Sequence, residues 1–166
     1  MQDFQTPEWI CNIMVSLIDS YPQKILEPTP GEGNLVNAIH NKYPNTEIIK
    51  SNNFETQKLI KVDYVIANPP FSPMSIGYKM LNKFFYFSGN IIVIMPWLSI
   101  INSEKRTDMY IKKGLEKVIH LPRSVFKGSR VQTCILKFKD GYSDNITLSF
   151  ISSCNRKQSV DINNWL

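Results

Sequence analysis

The residues best suited to chemistry form the sequence Asn68-Pro69-Pro70-Phe71, called the elbow below. Neither proline has an N–H group to donate to a ladder, and Pro69 restricts Asn68 to extended backbone angles. The side-chain carbonyl of Asn68 and the carbonyls of Asn68 and Pro69 can converge on one point, which suits a bound NH₂ group. Phe71 adds a flat ring for stacking a base, worth about 1–3 kcal/mol. An alternative is a proline-rich turn whose asparagine bonds its own backbone.

A short apolar segment, residues 62–67, leads into the elbow. Its β-branched residues are typical of a buried strand in a parallel sheet. Ligands of open α/β sheets usually bind outside the carboxyl ends of the strands. The succession of strand and elbow therefore predicts a ligand site at Asn68.

A second candidate site begins at residues 24–27, which predict the first strand. The loop after it contains Gly31 and Gly33, and a helix is predicted from about residue 35 to 43. A strand, a glycine-bearing loop and a helix N-terminus can cradle a cofactor, because glycine lets the backbone turn tightly and approach a ligand. Glu27, at the tip of the strand, can receive a cationic or hydroxyl-bearing group. The third glycine of a dinucleotide-binding loop is missing.

The rest of the chain alternates between helical and strand patterns. Thr6 is predicted to cap a helix whose first position is Pro7 and whose core face carries Ile10, Ile13, Met14, Leu17 and Ile18. Further helices are predicted at residues 78–86 and 104–113, and further strands near 47–50, 91–95, 117–121, 131–138 and 145–151. Residues 72–77 are predicted to form a mobile loop. This alternation predicts an α/β fold.

Composition limits the partners and the compartment. The chain has 166 residues, of which 43% are hydrophobic, so it is expected to form one domain with its own core. A net charge of +5 favours a polyanionic partner, although such a surplus also serves solubility. Cysteines 11, 134 and 154 are scattered and His40 and His120 lie far apart, which predicts no metal site and a reducing compartment. Without a signal peptide or membrane span, a cytoplasmic protein is expected.

A basic loop follows the strand predicted at 117–121. Arg123, Lys127 and Arg130 lie on one glycine-containing segment, where they could hold the phosphates of a nucleic-acid backbone. The alternative is a basic hairpin tip that keeps a sheet edge soluble.

Four segments together resemble S-adenosylmethionine-dependent amino-methyltransferases, above all the adenine-N6 DNA methyltransferases with gamma motif order. They are Phe4-Gln5-Thr6-Pro7, the string from Leu26-Glu27-Pro28 to Gly31 and Gly33, the elbow, and Pro122 with Val125-Phe126 before an apolar strand. The resemblance covers roughly residues 4–140. It implies a Rossmann-like class I methyltransferase fold, doubly wound with a mostly parallel sheet and helices on both faces. It also implies S-adenosylmethionine as cofactor and adenine-containing DNA as substrate.

The resemblance also assigns roles to individual residues. It implies that the elbow holds the amino group of a flipped adenine and that Phe71 and Phe126 stack on the two faces of that base. The implied cofactor-binding residues are Thr6, Pro7, Glu27, Pro28, Gly31, Gly33, Asn53 and Phe54.

The segment between Tyr43 and Asn68 departs from the family. Only about two dozen residues lie there, so the fold is expected to be truncated around the second strand and its helix. Asn53 stands where the family has an aspartate for the cofactor adenine, and Glu55 is a candidate substitute for the missing acidic ribose ligand. Losing a charged hydrogen bond costs about 1.5–3 kcal/mol, which predicts weakened cofactor binding.

The family also carries a target-recognition domain, whereas only about 28 residues follow Phe138 here. We therefore expect one methyltransferase-like domain, residues 1–166, with minimal recognition or with recognition supplied by a second polypeptide or a homodimer. Three alternatives stay open: an RNA or protein-glutamine methyltransferase with the same elbow, a catalytically weak or inactive subunit that needs a partner, and a plain nucleic-acid-binding module.

Overall fold

The fold is built on one seven-stranded sheet. The structure is a computed structural model that describes residues 5–51, 58–129 and 131–152. Its strands are β1 (Lys24–Glu27), β2 (Glu47–Lys50), β3 (Tyr64–Ala67), β4 (Ile91–Pro96), β5 (Leu115–His120), β6 (Thr133–Phe138) and β7 (Thr147–Phe150). Its helices are α1 (Glu8–Ser16), α2 (Asn34–Lys42), α3 (Met74–Phe84), α4 (Leu98–Ile101) and α5 (Glu104–Lys112), with a single 3₁₀ turn at Arg123–Val125 among the described residues.

The strand order is β2-β1-β3-β4-β6-β5-β7. Strands β2, β1, β3 and β4 are mutually parallel, β6 is antiparallel to β4 and β5, and β7 is parallel to β5. All the strands except β6 therefore end at one edge, called the carboxyl edge below. The predicted mostly parallel, doubly wound sheet is confirmed. In the described part of the segment between β2 and β3, residues 51 and 58–63, no residue is helical.

The core lies in two layers, one on each face of the sheet. Ile25 and Ile66 pack with α1 and α2 on one face, whereas their neighbours Leu26 and Val65 pack with α3 and α5 on the other. Successive side chains of a strand point to opposite faces, so a strand covered on both sides must be apolar throughout. This explains why residues 64–67 and 91–95 are unbroken apolar runs.

The start of α1 differs from the prediction. Pro7 occupies the N-cap position, where its carbonyl accepts hydrogen bonds from the backbone N–H groups of Ile10 and Cys11, and no side chain caps the helix. Thr6 is therefore not a cap. Its hydroxyl is bonded to a residue far away in the sequence, described below.

Helix α3 begins four residues earlier than predicted, at Met74. The prediction of a loop over 72–77 was wrong for residues 74–77, because Gly77 was taken as a loop residue. Pro73 stands at the N-cap, and a Cβ added to Gly77 would lie 3.3 Å from the carbonyl oxygen of Pro70. Glycine is thus used here for a close approach between the helix and the elbow.

The remaining boundaries shift by a few residues. β4 continues through Pro96, which pairs with Thr133, and β5 begins at Leu115. β6 starts two residues later than the predicted residue 131, and β7 is shorter than the predicted 145–151. None of the helices in the described ranges has the length and apolar character needed to cross a bilayer.

Candidate active site

A cavity of about 490 Å³ lies at the carboxyl ends of β1 and β3. Five parts of the chain line it: residues 5–6 before α1, the loop and helix start at 28–31 and 34–35, Ser51 after β2, residues 68–72, and residues 128–129 and 131 before β6. The carboxyl edge is where open α/β sheets bind ligands. Two of the predicted sites, the glycine loop and the elbow, therefore share one cavity.

The glycine loop turns as the sequence predicts. Gly31 and Gly33 have φ angles of 50° and 88°, in the left-handed region that other residues avoid. A Cβ on Gly31 would lie 2.7 Å from Oε1 of Gln5, and the same oxygen accepts a hydrogen bond of 3.0 Å from the backbone N–H of Glu32. The residues before α1 are thereby held against the loop.

Asn68 is fixed by hydrogen bonds to two other walls of the cavity. Its Nδ2 donates to the Thr6 hydroxyl at 2.9 Å, and its backbone N–H donates to Thr29 Oγ1 at 3.2 Å. Thr6 is itself held, because Nδ2 of Asn34 donates to its carbonyl oxygen at 3.0 Å. The first bond sets the orientation of the Asn68 amide, with Nδ2 toward Thr6, and so gives Oδ1 the role of acceptor.

Glu27 lies behind the wall formed by Pro28 and Thr29. It is 0% exposed, and its Oε1 accepts hydrogen bonds from the backbone N–H (2.8 Å) and hydroxyl (3.0 Å) of Thr29. Its Oε2 is buried without a hydrogen-bond partner. Burial raises the pKa of Glu27 to about 7, against the lowering effect of the two Thr29 bonds. The group is poised to ionise when a donor or a cation reaches Oε2.

The two described cysteines are not nucleophiles. Burial, followed by the nearby charge of Glu27, raises the pKa of Cys11 to about 12, and its thiol lies 3.7 Å from the carbonyl oxygen of Thr6. Burial also raises the pKa of Cys134. Both thiols therefore stay protonated and serve as small core residues, as expected for these two positions.

The described cavity wall is more apolar than polar, and it is uncharged. Its described lining contains no carboxylate, lysine, arginine or histidine. Ser51, which directly follows β2, lines the cavity and is 6% exposed. The family resemblance leads us to expect an acidic ribose ligand near this strand end. Asn53, Phe54 and Glu55 lie outside the described residues, so the roles predicted for them stay predictions.

Not all the predicted site residues meet in the cavity. Thr6, Pro28, Gly31 and residues 68–71 line it, whereas Pro7, Glu27 and Gly33 do not. Phe126 is 4% exposed and packs in the core beside Val125 and Leu121. Gly128 and Ser129 line the cavity instead, so a base held between Phe71 and Phe126 needs another conformation of this loop. Arg123 and Lys127 are exposed, and Arg130 lies outside the described residues.

Sequence reasoning missed three polar residues of the site: Gln5, Thr29 and Asn34. Each connects two walls of the cavity by a hydrogen bond. A signal was available for Thr29, whose hydroxyl stands two residues after a strand-tip carboxylate in a loop rich in proline and glycine. Gln5 and Asn34 gave no signal, because their partners are more than twenty residues away.

Comparison by sequence finds no relative: no protein-family model matches the chain, and no curated protein matches it. Comparison by structure does. A type I restriction-modification methyltransferase subunit from Streptococcus thermophilus superposes with a TM-score of 0.71 and 13% identity, over 89% of this chain and 47% of its own.

Two further solved structures agree. A protein described as a class I S-adenosylmethionine-dependent methyltransferase from Listeria monocytogenes gives a TM-score of 0.68 at 16% identity, covering 90% of this chain and 66% of its own. A protein described as a type I modification subunit from Vibrio vulnificus YJ016 gives 0.67 at 14%, covering 87% and 45%. The chain has the class I methyltransferase fold and spans about half the length of the two modification subunits.

Proposed function

We propose that this chain transfers a methyl group from S-adenosylmethionine to the exocyclic amino group of adenine in DNA. The observation that carries the proposal is the fixing of Asn68. Its side chain and backbone are bonded to Thr6 and Thr29 at the rim of a cavity that also contains the glycine loop, in a fold shared with class I methyltransferases. The acceptors for an amino group are thus preorganised beside a cofactor cradle.

The cavity lining supports a place for the methionine end of the proposed cofactor. Pro28 and Gly31 line the cavity, and the buried Oε2 of Glu27, behind Pro28 and Thr29, is an acceptor for an ammonium or hydroxyl group that reaches past this wall. Thr6, Pro28 and Gly31 would hold this end, while Asn53 and Phe54 would hold the adenine. When bound, S-adenosylmethionine supplies a methyl group activated by its sulfonium.

The chain's own residues activate the target nitrogen. The lone pair of an adenine amino group is delocalised into the ring, so the nitrogen is a poor nucleophile. Oδ1 of Asn68 and the carbonyl oxygen of Pro69 accept its two hydrogens, which favours tetrahedral geometry and stabilises the positive charge that develops there. Since the described cavity lining has no titratable side chain, the proton leaves to solvent after attack, without a general base before it.

The target base must leave its stack to reach the elbow. Unstacking costs a few kcal/mol, which stacking on Phe71 offsets in part. The exposed Arg123 and Lys127, with Arg130, would contact the phosphate backbone. We further propose that the chain acts as one catalytic domain in the cytoplasm, with recognition supplied by a specificity subunit or a second copy.

Transfer of a radiolabelled methyl group tests the proposal. Label should appear in DNA and be recovered as N6-methyladenosine on nucleoside analysis; label in RNA or in protein glutamine would favour those alternatives instead. Asn68→Ala should lower the rate at least 100-fold, while costing only about 1 kcal/mol of stability through the lost bond to Thr6. Asn82→Ala, an exposed asparagine on α3, is the matched control. Wild-type activity in Asn68→Ala would rule out the mechanism.

A second candidate is a subunit that keeps the fold with weak or no catalysis. The absence of an acidic residue from the described cavity lining favours it, as does the raised pKa of Glu27, because burial favours the protonated form of this carboxyl. Calorimetry decides between the two. No heat with millimolar S-adenosylmethionine would favour the inactive subunit, whereas saturable binding supports the enzyme.

A further inference from the structure

Three aromatic rings that the mechanism does not use lie together at the carboxyl edge. Trp97 directly follows β4, His120 is the last residue of β5, and Phe150 is the last residue of β7. The ring centroids are 4.9 Å apart for Trp97 and His120, 5.3 Å for His120 and Phe150, and 6.4 Å for Trp97 and Phe150. We call these three residues the aromatic cluster.

The cluster is open to solvent on one side. Phe150 is 61% exposed, and the neighbouring short helix α4 presents Leu98 at 45% and Ile101 at 63%. Trp97 is half-buried. Burial lowers the pKa of His120, so its ring is neutral at neutral pH and adds to an uncharged aromatic surface. Exposed apolar surface of this kind marks binding sites more often than isolated exposed residues do.

A single loop connects the aromatic cluster to the cavity. Residues 121–132 run from the end of β5 to the start of β6, and their second half lines the cavity at Gly128, Ser129 and Val131. The next residue, Gln132, places its Nε2 2.7 Å from Nε2 of His120, and its carbonyl oxygen accepts a 2.7 Å bond from the N–H of Trp97. The aromatic cluster thus adjoins the wall of the cavity.

The charge around the cluster selects the kind of partner. The loop 121–132 contains Arg123, Lys127 and Arg130 and no acidic residue, and neither residues 97–102 nor residues 146–152 contain one. Segments that carry aromatic rings and cations but no carboxylate of their own match a polyanion with planar groups. Proteins that bind single strands combine the same two features, a basic groove and aromatic rings on which bases stack.

We propose that the aromatic cluster, with Phe150 as its exposed plate, is a stacking site for a second, unpaired nucleobase of the nucleic-acid strand whose target base enters the cavity. This inference rests on the proposed function, because it takes the cavity as the place of the target base. It adds to that function a contact with a flanking nucleotide, which would lie across the loop 121–132 from the target base.

Binding of a fluorescein-labelled single-stranded 12-nucleotide DNA, followed by anisotropy in the presence of S-adenosylhomocysteine, measures the contribution of the ring. Phe150→Ala should weaken binding about 5- to 150-fold, the range that stacking of one base spans. Phe150→Leu keeps apolar packing and should lose nearly as much, and Phe150→Trp should bind at least as well as wild type. Tyr86→Ala is the control, since Tyr86 is 65% exposed but lies at the opposite edge of the sheet.

An abasic scan then identifies the contacted nucleotide. Removing one base at a time should weaken wild-type binding at a single position beside the target, and this position should have no effect in Phe150→Ala. The same profile in both proteins, or equal affinity of Phe150→Ala, Phe150→Leu and Tyr86→Ala, overturns the proposal. If Phe150→Ala changed the sedimentation coefficient of the protein without changing its DNA affinity, the surface would be assigned to contact with a second copy of the chain. That result would overturn the proposal too.

The two proposals fail separately. A Phe150-dependent abasic profile without methyl transfer would overturn the proposed enzymatic function and keep the stacking site. Methyl transfer by wild type, with an unchanged profile in Phe150→Ala, would keep the function and overturn the stacking site.

Discussion

Two buried charged side chains, Glu27 and Lys137, lie at opposite edges of the same sheet and are satisfied in opposite ways. Lys137, on β6, pairs in register with Ile92 at the start of β4, far from the carboxyl edge. Its Nζ lies 2.5 Å from Oδ1 of Asp19 and 2.7 Å from Oε2 of Glu116, while the side chain is only 6% exposed. Burial by itself lowers the pKa of Lys137, but the bonds to both carboxylates outweigh it and raise the pKa overall.

Glu27, at the carboxyl edge, has no cation beside it among the residues that the structure describes. One oxygen is held by Thr29 and the other has no hydrogen-bond partner, so burial dominates and raises its pKa to about 7. The comparison teaches how to separate a structural charge from a functional one. A structural charge is paired with groups of the same chain. A buried charge that serves a ligand lacks such partners and destabilises the folded state until the ligand binds.

The largest expected effect is on the structural side. Lys137→Met should lower the free energy of unfolding by about 3 kcal/mol, at the low end for a broken buried pair because Asp19 is 42% exposed. Urea denaturation measures it. Lys139→Met is the control, since Lys139 is 46% exposed and 3.6 Å from Asp19, and should cost less than about 1 kcal/mol. Equal effects of the two substitutions would show that burial at Lys137 does not matter.

The next effect concerns Glu27, whose substitution should raise the free energy of unfolding at high pH, whereas that of Lys137 lowers it. A raised pKa means that the folded state holds its proton more tightly, so this stabilisation is complete below pH 4.5 and is lost as the pH rises through about 7. Relative to Glu27→Gln, the ligand-free wild type should lose about 3 kcal/mol between pH 4.5 and pH 8, the equivalent of this pKa difference. Denaturation curves of both proteins at several pH values test this, and parallel pH profiles would contradict it.

A third prediction links the same group to the ligand. If Glu27 receives a cationic group of S-adenosylmethionine, affinity should fall as the pH drops below about 7, by up to tenfold per pH unit, because the carboxyl is then protonated. Calorimetry between pH 6 and pH 8 measures the slope. Glu27→Gln should bind more weakly and without this slope. A wild-type affinity that does not change with pH would separate Glu27 from the ligand.

The smallest effect tests the hydrogen bonds around Asn68. Thr6→Val removes the acceptor of the Asn68 Nδ2 bond and should cost about 1 kcal/mol of stability. Under the proposed mechanism it should also slow methyl transfer about tenfold without changing the affinity for S-adenosylmethionine by as much, since it frees the amide to rotate. Thr6→Ser, which keeps the hydroxyl, should restore the rate. Equal rates for Val and Ser would leave Thr6 with a packing role only.

The elements with a strong local pattern were predicted well. β1, β3 and β4 follow from apolar runs that both faces of the sheet bury, and the turn at Gly31 and Gly33 follows from glycine. The start of α3 was missed because Gly77 was taken as a loop residue, although its lack of a side chain serves a contact with Pro70. Phe126 was placed in the pocket by resemblance, and the structure buries it in the core.

The sequence by itself determined the stiff elbow at Asn68, the turning loop and the alternation of strands and helices, because backbone sterics and hydrophobic periodicity act over a few residues. Only the tertiary structure decided that the Asn68 amide bonds Thr6, sixty-two residues away, that one oxygen of Glu27 is left without a partner, and that three aromatic rings meet beside the cavity. These features depend on which strand ends come together at one edge, and packing of the whole sheet sets that.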